Sequence, residues 1–339
     1  MKKTLFVLIS TASALASCGG AKPVSSLPSE SESEPAHAVT WATPTGAPTL
    51  AFYDQGNNAN WLSTDTPAAI MPSAFAGNSY DALVFDGMAG LKLIRANKAT
   101  SQYVMARWVN ELPFYLVSVK HTADETILPT ATIDAFVQNG NASVALNKLA
   151  SDENAWNIGA LTAVTYEDGV TAVNQHLQAA PNSFDYFVLA EPVYTLAKGA
   201  LSTKGITLNL IKDLQSDWAT YYDGAKIPAA ALFLNKRSLE TYPNAMASFL
   251  ADYDARINSL VTTPEVAQSA LRSYIDAGND IVARFGIQEN IVNVLPTLQA
   301  SNKLAFQNVS WTGESLRNYA NGFAAVTGVA SYDSSFFIA

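Results

Sequence analysis

One pattern limits the chain more than any other. A strand–loop–helix succession runs twice, one more strand follows, and then come only helices. In the first round, strands are expected at 39–42, 80–85, 103–109 and 114–119, with helical stretches at 49–53, 68–75 and 88–96. The second round begins near Ile127. Its strands are expected at 132–137, 162–166, 184–189 and 206–211, and its helices at 143–150, 167–178 and from 193 to about 200. A strand at 229–234 comes next, and then helices at 242–257, 263–277, 278–285, 287–298 and 313–327. Repeated strand–loop–helix units belong to open α/β sheets.

Two such series imply an α/β fold of two lobes, although no clean sequence repeat relates them. The late strand with only helices behind it implies that the chain crosses back to complete the first lobe. Lobe one is then expected at 39–118 plus 230–339, and lobe two at 119–229. Two crossings make a hinge, and the cleft between the lobes is the expected ligand site.

Of the 339 residues, 49% are hydrophobic, enough for a large core and too many for a wholly disordered chain. Only 14% are charged, and the formal net charge is -9. An acidic chain without clustered Lys or Arg argues against nucleic acid as partner. The single cysteine excludes an internal disulfide and a cysteine-rich zinc site. That cysteine, Cys18, follows Leu15-Ala16-Ser17, behind a basic start at Lys2-Lys3 and an uncharged apolar stretch at 4–15. This resembles a bacterial lipoprotein signal, which implies cleavage after residue 17 and a diacylglyceryl-modified Cys18. An ordinary secretory signal with an incidental cysteine is the alternative. Residues 18–38, with serines alternating with glutamates, read as a solvated tether that contains His37.

Four loops fall just beyond strand ends, where open α/β sheets hold ligands and helix N-termini offer amide N–H groups. They supply Thr45, Gly46 and Ala47; Asp86 and Gly87; Asn139, Gly140 and Asn141; and Glu191. Gly46, Gly87 and Gly140 permit close backbone approach; any one alone reads more readily as an ordinary turn glycine, but three at equivalent places point to a cleft. No catalytic residue is assigned. H-E-x-x-H, G-x-S-x-G and the P-loop pattern are absent, and His121 and His176 read as surface residues without partners at metal-ligand spacing. Neither metal nor cofactor is expected. Asp86 and Glu191 suit a hydrolytic carboxylate pair, but also a helix cap and an ion pair. Trp61 and Trp108 are candidates to stack on a ligand or to belong to the core, as are Phe52 and Phe85. The sequons at Asn141-Ala142-Ser143 and Asn308-Val309-Ser310 carry no meaning in a bacterial lipoprotein.

The ordered set resembles the substrate-binding lipoproteins of bacterial ABC importers with the type II periplasmic-binding fold, in the branch that binds thiamine precursors, nitrate, sulfonates and taurine. The resemblance rests on Thr43-Pro44-Thr45-Gly46-Ala47-Pro48, Tyr80-Asp81-Ala82-Leu83-Val84-Phe85-Asp86-Gly87, Leu189-Ala190-Glu191-Pro192-Val193 and Ile227-Pro228-Ala229-Ala230-Ala231-Leu232-Phe233-Leu234-Asn235. It implies a monomeric, non-enzymatic binding protein, lipid-anchored outside the cytoplasmic membrane, that delivers a small-molecule ligand to an ABC permease. The candidate loops contain Asp86 and Glu191 but no Arg, Lys or His, so a thiamine-related pyrimidine or other nitrogen heterocycle is favoured over a small anion. Arg107 is the one nearby cation that an anion site would use. Two alternatives stand beside this: an enzyme of thiamine-pyrimidine biosynthesis on the same fold, and a surface lipoprotein without a ligand.

Overall fold

The computed structural model describes residues 34–306, 311 and 313–338. The signal at 1–17, Cys18, the tether as far as residue 33 and the sequon at Asn308 lie outside the described residues. Among the described residues no helix is long and apolar enough to cross a membrane.

Strand β1 (Trp41–Pro44) runs into a 3-10 turn at Ala47–Phe52. Then come β2 (Trp61–Thr64), α1 (Pro67–Gly77), β3 (Ala82–Asp86), α2 (Gly87–Ala96) and β4 (Tyr103–Trp108). The next stretch holds β5 (Phe114–Ser118), β6 (Thr132–Phe136), α3 (Asn141–Ser151), β7 (Ala163–Glu167), α4 (Val170–Ala179), β8 (Tyr186–Ala190), α5 (Val193–Thr203), β9 (Asn209–Asp213) and α6 (Leu214–Tyr221). Strand β10 (Ala230–Asn235) precedes α7 (Lys236–Thr241), α8 (Pro243–Thr262), α9 (Pro264–Asp276), α10 (Ile281–Phe285), α11 (Glu289–Ala300) and α12 (Gly313–Val326).

The strands form two five-stranded sheets, ordered β2-β1-β3-β10-β4 and β7-β6-β8-β5-β9. Both follow one pattern. Three parallel strands stand side by side, and a fourth lies beyond a strand that is antiparallel to both of its neighbours. The inserted strand is β10 in the first sheet and β5 in the second. Each is the strand made directly after the chain crosses from the other lobe. Both are buried along their whole length, which is why Ala230–Asn235 and Phe114–Ser118 read as continuous rather than alternating apolar runs.

Strand β5 therefore corrects the sequence reading, which put residues up to 118 in lobe one. A fully apolar run signals burial on both faces but does not say in which sheet. Strand β2 and helix α6 were not anticipated either; β2 has only four residues, too few for a period to show. A third correction concerns the tether. Glu34 caps α8, accepting from the Asn244 and Ala245 amides at 2.7 and 3.0 Å. His37 stacks on Tyr242 with ring centroids 3.7 Å apart and bonds Asp81 at 3.0 Å. Residues 34 and 37 therefore do not belong to a solvated tether.

The two crossings run side by side. Val109 N–H donates to the Ala230 carbonyl at 2.7 Å and Ala229 N–H to that of Asn110 at 3.2 Å. Gln215 of α6 holds the second crossing, its Nε2 donating to the Ile227 carbonyl at 2.9 Å and its Oε1 accepting from the Ile227 amide at 2.7 Å, and it reaches the Glu111 carbonyl of the first at 3.5 Å. Replacing Gln215 with Ala leaves a half-buried amide and carbonyl without these partners. Urea unfolding should report a loss of about 1–3 kcal/mol; an unchanged midpoint would mean that Gln215 does not hold the crossing.

Candidate functional site

A cavity of about 120 Å³ lies between the two sheets. The first lobe supplies residues 44–48, Asp65, Pro67, Phe85 and Asp86, and the crossings supply Leu112, Ala229 and Ala230. The second lobe supplies Phe114, Phe136, Val137, residues 169–171 and residues 190–193. The walls are thus made at the carboxyl ends of β1, β2, β3, β6, β7 and β8, where a parallel sheet leaves its crevice. An apolar cavity of about 150 Å³ holds benzene. The space suits a molecule about the size of a single ring.

Polar groups reach the cavity mostly through the backbone. The 3-10 turn after Gly46, α4 after Gly169 and α5 after Pro192 all begin in its wall, and none has a capping bond from the side chain that precedes it. The amides of Ala47, Val170, Thr171 and Val193 have no hydrogen-bond partner among the described residues. Such N–H groups are oriented donors for a ligand acceptor.

Asp86 is part-buried and bridges the lobes. One oxygen caps α2 by accepting from Ala89 N–H at 2.9 Å. The other accepts from Asn141 N–H, across the cleft on α3, at 2.7 Å. Burial pushes its carboxyl up to about 6, against the opposing pull of these amides and of Lys92. Glu191 is buried and engaged on every side. It accepts from the Thr195 amide and hydroxyl at 3.2 and 3.0 Å and pairs with Lys303, which comes from the first lobe, at 3.0 Å.

Thr45 and Gly46 are held by a glycine far along the chain. Gly46 has φ of 98°, and its N–H donates to the Phe285 carbonyl at 2.8 Å. Gly286, at φ 65°, ends α10 against this loop; a Cβ there would stand 2.3 Å from Thr45 Cβ and 2.8 Å from Gly46 N.

Of the residues expected at the site, Thr45, Gly46, Ala47, Asp86 and Glu191 line the cavity. The others lie elsewhere. Trp61 is core: it packs on Phe285 and Phe52, donates to Thr43 Oγ1 at 2.9 Å and carries the Arg284 guanidinium over its ring. Trp108 is core too, T-shaped on Tyr319, and it covers Gly87 so closely that a Cβ there would lie 1.8 Å from the indole. Asn139, Gly140 and Asn141 join the lobes instead of facing the cavity. Lys92 Nζ donates to the Asn139 carbonyl at 3.2 Å, and Asn141 Nδ2 donates to the carbonyls of Pro228 and Ala229 at 2.5 and 3.1 Å. Gly140 packs where a Cβ would crowd the Val137 carbonyl at 2.9 Å. Arg107 forms a two-pronged ion pair with Asp254 at 3.0 and 2.8 Å. The sequence reading missed Gly169–Thr171, although Asp168-Gly169 after a strand and before a helix is the signature used for the other loops.

No protein-family model and no curated protein matches the sequence. Solved structures do. An ABC transporter structure from Parabacteroides distasonis aligns at TM-score 0.58 and 15% identity, covering 89% of this chain and 99% of that one. A Candida albicans protein described as having the generic periplasmic-binding-protein fold aligns at 0.57 and 8%, covering 89% and 94%. The chain has this fold. An alkanesulfonate-binding protein from Xanthomonas axonopodis pv. citri, bound to MOPS, shares the periplasmic-binding-protein architecture at TM-score 0.53 and 12% identity, covering 86% and 94%. Likeness at these identities speaks for architecture, and function must be argued from the site.

Two outcomes follow from the geometry. Gly286→Ala forces a positive φ on alanine and drives its methyl into Thr45, so it should destabilise by about 1–3 kcal/mol in urea unfolding; wild-type stability would show that the loop yields freely. Asp86 is the other case. Its folded value lies above its unfolded one, so its contribution is fully present below about pH 3.8 and is lost as pH rises through about 6. The stability difference between wild type and Asp86→Ala should shrink by up to about 3 kcal/mol from pH 4 to pH 7. A difference that grows with pH would contradict the assignment.

Proposed function

We propose that this chain is the solute-binding component of an ABC importer, capturing a small molecule between its lobes outside the cytoplasmic membrane and presenting it to a permease. The observation that carries the reading is the cavity itself: both lobes line it, its walls are mainly apolar, and unpaired backbone amides open into it. The architectural likeness to transporter-associated proteins supports it. In this reading Cys18 carries the lipid, residues up to 33 are the spacer, and the protein acts as a monomer. A binding role rather than catalysis is supported by the two candidate carboxylates. Asp86 is occupied by two backbone amides, and Glu191 by Thr195 and Lys303.

The favoured ligand is a neutral single-ring nitrogen heterocycle, of the size of a pyrimidine. Phe85, Phe114 and Phe136 offer it apolar and aromatic surface, in place of the tryptophans expected from the sequence. Its ring nitrogens or carbonyl groups accept from the amides of Ala47, Val170 and Thr171. Among the described residues no Lys, Arg or His lines the cavity, whereas Asp65, Asp86 and Glu191 do, so a full negative charge meets carboxylates at close range. A small alkanesulfonate is the second reading. It is favoured by the uncapped N-terminus of α4 and by the MOPS held in the Xanthomonas relative of this fold.

Calorimetric titration with pyrimidines, thiamine, taurine, short alkanesulfonates and nitrate tests both. One neutral ring should bind with 1:1 stoichiometry, raise the melting temperature and be recovered chemically unchanged. Phe136→Ala should weaken it about tenfold or more. Sulfonate binding without ring binding would replace the favoured ligand by the second. Turnover of the ligand would overturn the transport role.

A further inference from the structure

A second cluster of ligating side chains lies in the second lobe, outside the cavity. Asp134 on β6 is the register partner of Thr165 on β7, so Glu167, two residues further on, projects from the same face of the sheet. Helix α4 covers that face and buries Val173 and Leu177. His176 follows Val173 by three residues, and the helical period brings it over the two carboxylates. Its Nδ1 stands 3.1 Å from Asp134 Oδ2 and 3.6 Å from Glu167 Oε1. One ligand atom from each of the three residues lies within 4.8 Å of the others. The expectation that His176 has no partner at metal-ligand spacing is corrected here. The partners come from β6 and β7, 42 and 9 positions away, where no local spacing reveals them.

We propose that Asp134, Glu167 and His176 bind a divalent transition-metal ion, with zinc as the reference species. Two independent observations carry this. The first is the spacing. Two ligand atoms each about 2.1 Å from a tetrahedral zinc are about 3.4 Å apart, and the two distances to His176 Nδ1 fall on either side of that value. The second is Asp134 itself. Its side chain is wholly buried, with 0% exposure, and its Oδ1 has no hydrogen-bond partner among the described residues. A buried carboxylate oxygen without a partner is costly, and a cation bound at that carboxylate compensates it. The donor set of one imidazole nitrogen and two carboxylate oxygens selects zinc or a neighbouring transition metal over calcium or magnesium, whose sites are built from oxygen alone. His176 and Glu167 are partly exposed, with side chains 47% and 24% accessible, so water has room to complete the coordination.

The metal would fasten β6, β7 and α4 to one another. Because Gly169–Thr171 at the start of α4 form cavity wall, the site braces that wall from behind, whatever the ligand proves to be.

The test uses the full chain, freed of metal by chelation, dialysed against zinc and assayed for bound zinc by elemental analysis, with melting followed in parallel. The expected result is one saturable equivalent that raises the melting temperature. His176→Ala and Glu167→Gln, both at partly exposed positions that tolerate substitution, should each weaken this equivalent about tenfold or more. His121→Ala, which removes the separate histidine beside Glu125 and Asp185, should leave it unchanged. Absence of a saturable equivalent overturns the proposal, and so does an equivalent that survives both His176→Ala and Glu167→Gln.

Discussion

Everything in the molecule hangs on two short stretches of chain lying side by side. Residues 109–113 and 227–229 pass between the lobes as a hydrogen-bonded pair, joined by Val109, Asn110, Ala229 and Ala230 and pinned by Gln215. A paired ribbon resists stretching and shear but bends easily. In the proposed binding role this pair would be the hinge between the lobes. The crossings also decide sheet order. The strand that follows each of them, β5 or β10, inserts antiparallel into the sheet it reaches. The two lobes thereby share one topology that no sequence repeat betrays.

Apolar packing joins the lobes, as where Trp218 of α6 meets Phe323 of α12 with ring centroids 5.0 Å apart, and a few polar contacts span the cleft beside it. Asp86 takes the Asn141 amide, Lys92 takes the Asn139 carbonyl, and Lys303 takes Glu191. Their worth is modest, since a typical net hydrogen bond contributes about 1 kcal/mol and one to a charged group somewhat more. That modesty is useful. In the proposed role, a ligand would shift an open–closed equilibrium only by its extra contacts in the closed form, and contacts of this size would let a small molecule decide the balance. Asp86 is the least comfortable member, because burial raises its carboxyl to about 6 while its two amide donors favour the ionised form.

Much of this was legible in the sequence, for identifiable reasons. The two α/β rounds and the late strand show because buried central strands are continuous apolar runs and their loops carry Gly, Pro and Asp. Thr45–Ala47, Asp86 and Glu191 could be found because cavity walls form where strands end. Four things were hidden. The sheet that β5 joins depends on a crossing, and no local pattern encodes it. Trp61 and Trp108 have the chemistry of ligand platforms, but Arg284, Thr43 and Tyr319 claim them for the core. The loop at Asn139–Asn141 has the residues of a ligand loop, yet it spends its polar groups on the other lobe. Gly286 and Lys303 support the site from far along the chain, where spacing says nothing.

The central claim is that two rigid lobes swing about paired crossings and are held together over the cavity by the Asp86–Asn141 contact and its neighbours. Small-angle X-ray scattering tests it most directly, by comparing the wild-type chain with the Asp86→Ala, Asn141→Ala double variant. The account predicts a larger radius of gyration for the variant with an unchanged far-ultraviolet circular dichroism spectrum. Superimposable scattering profiles, with both proteins folded, would contradict it.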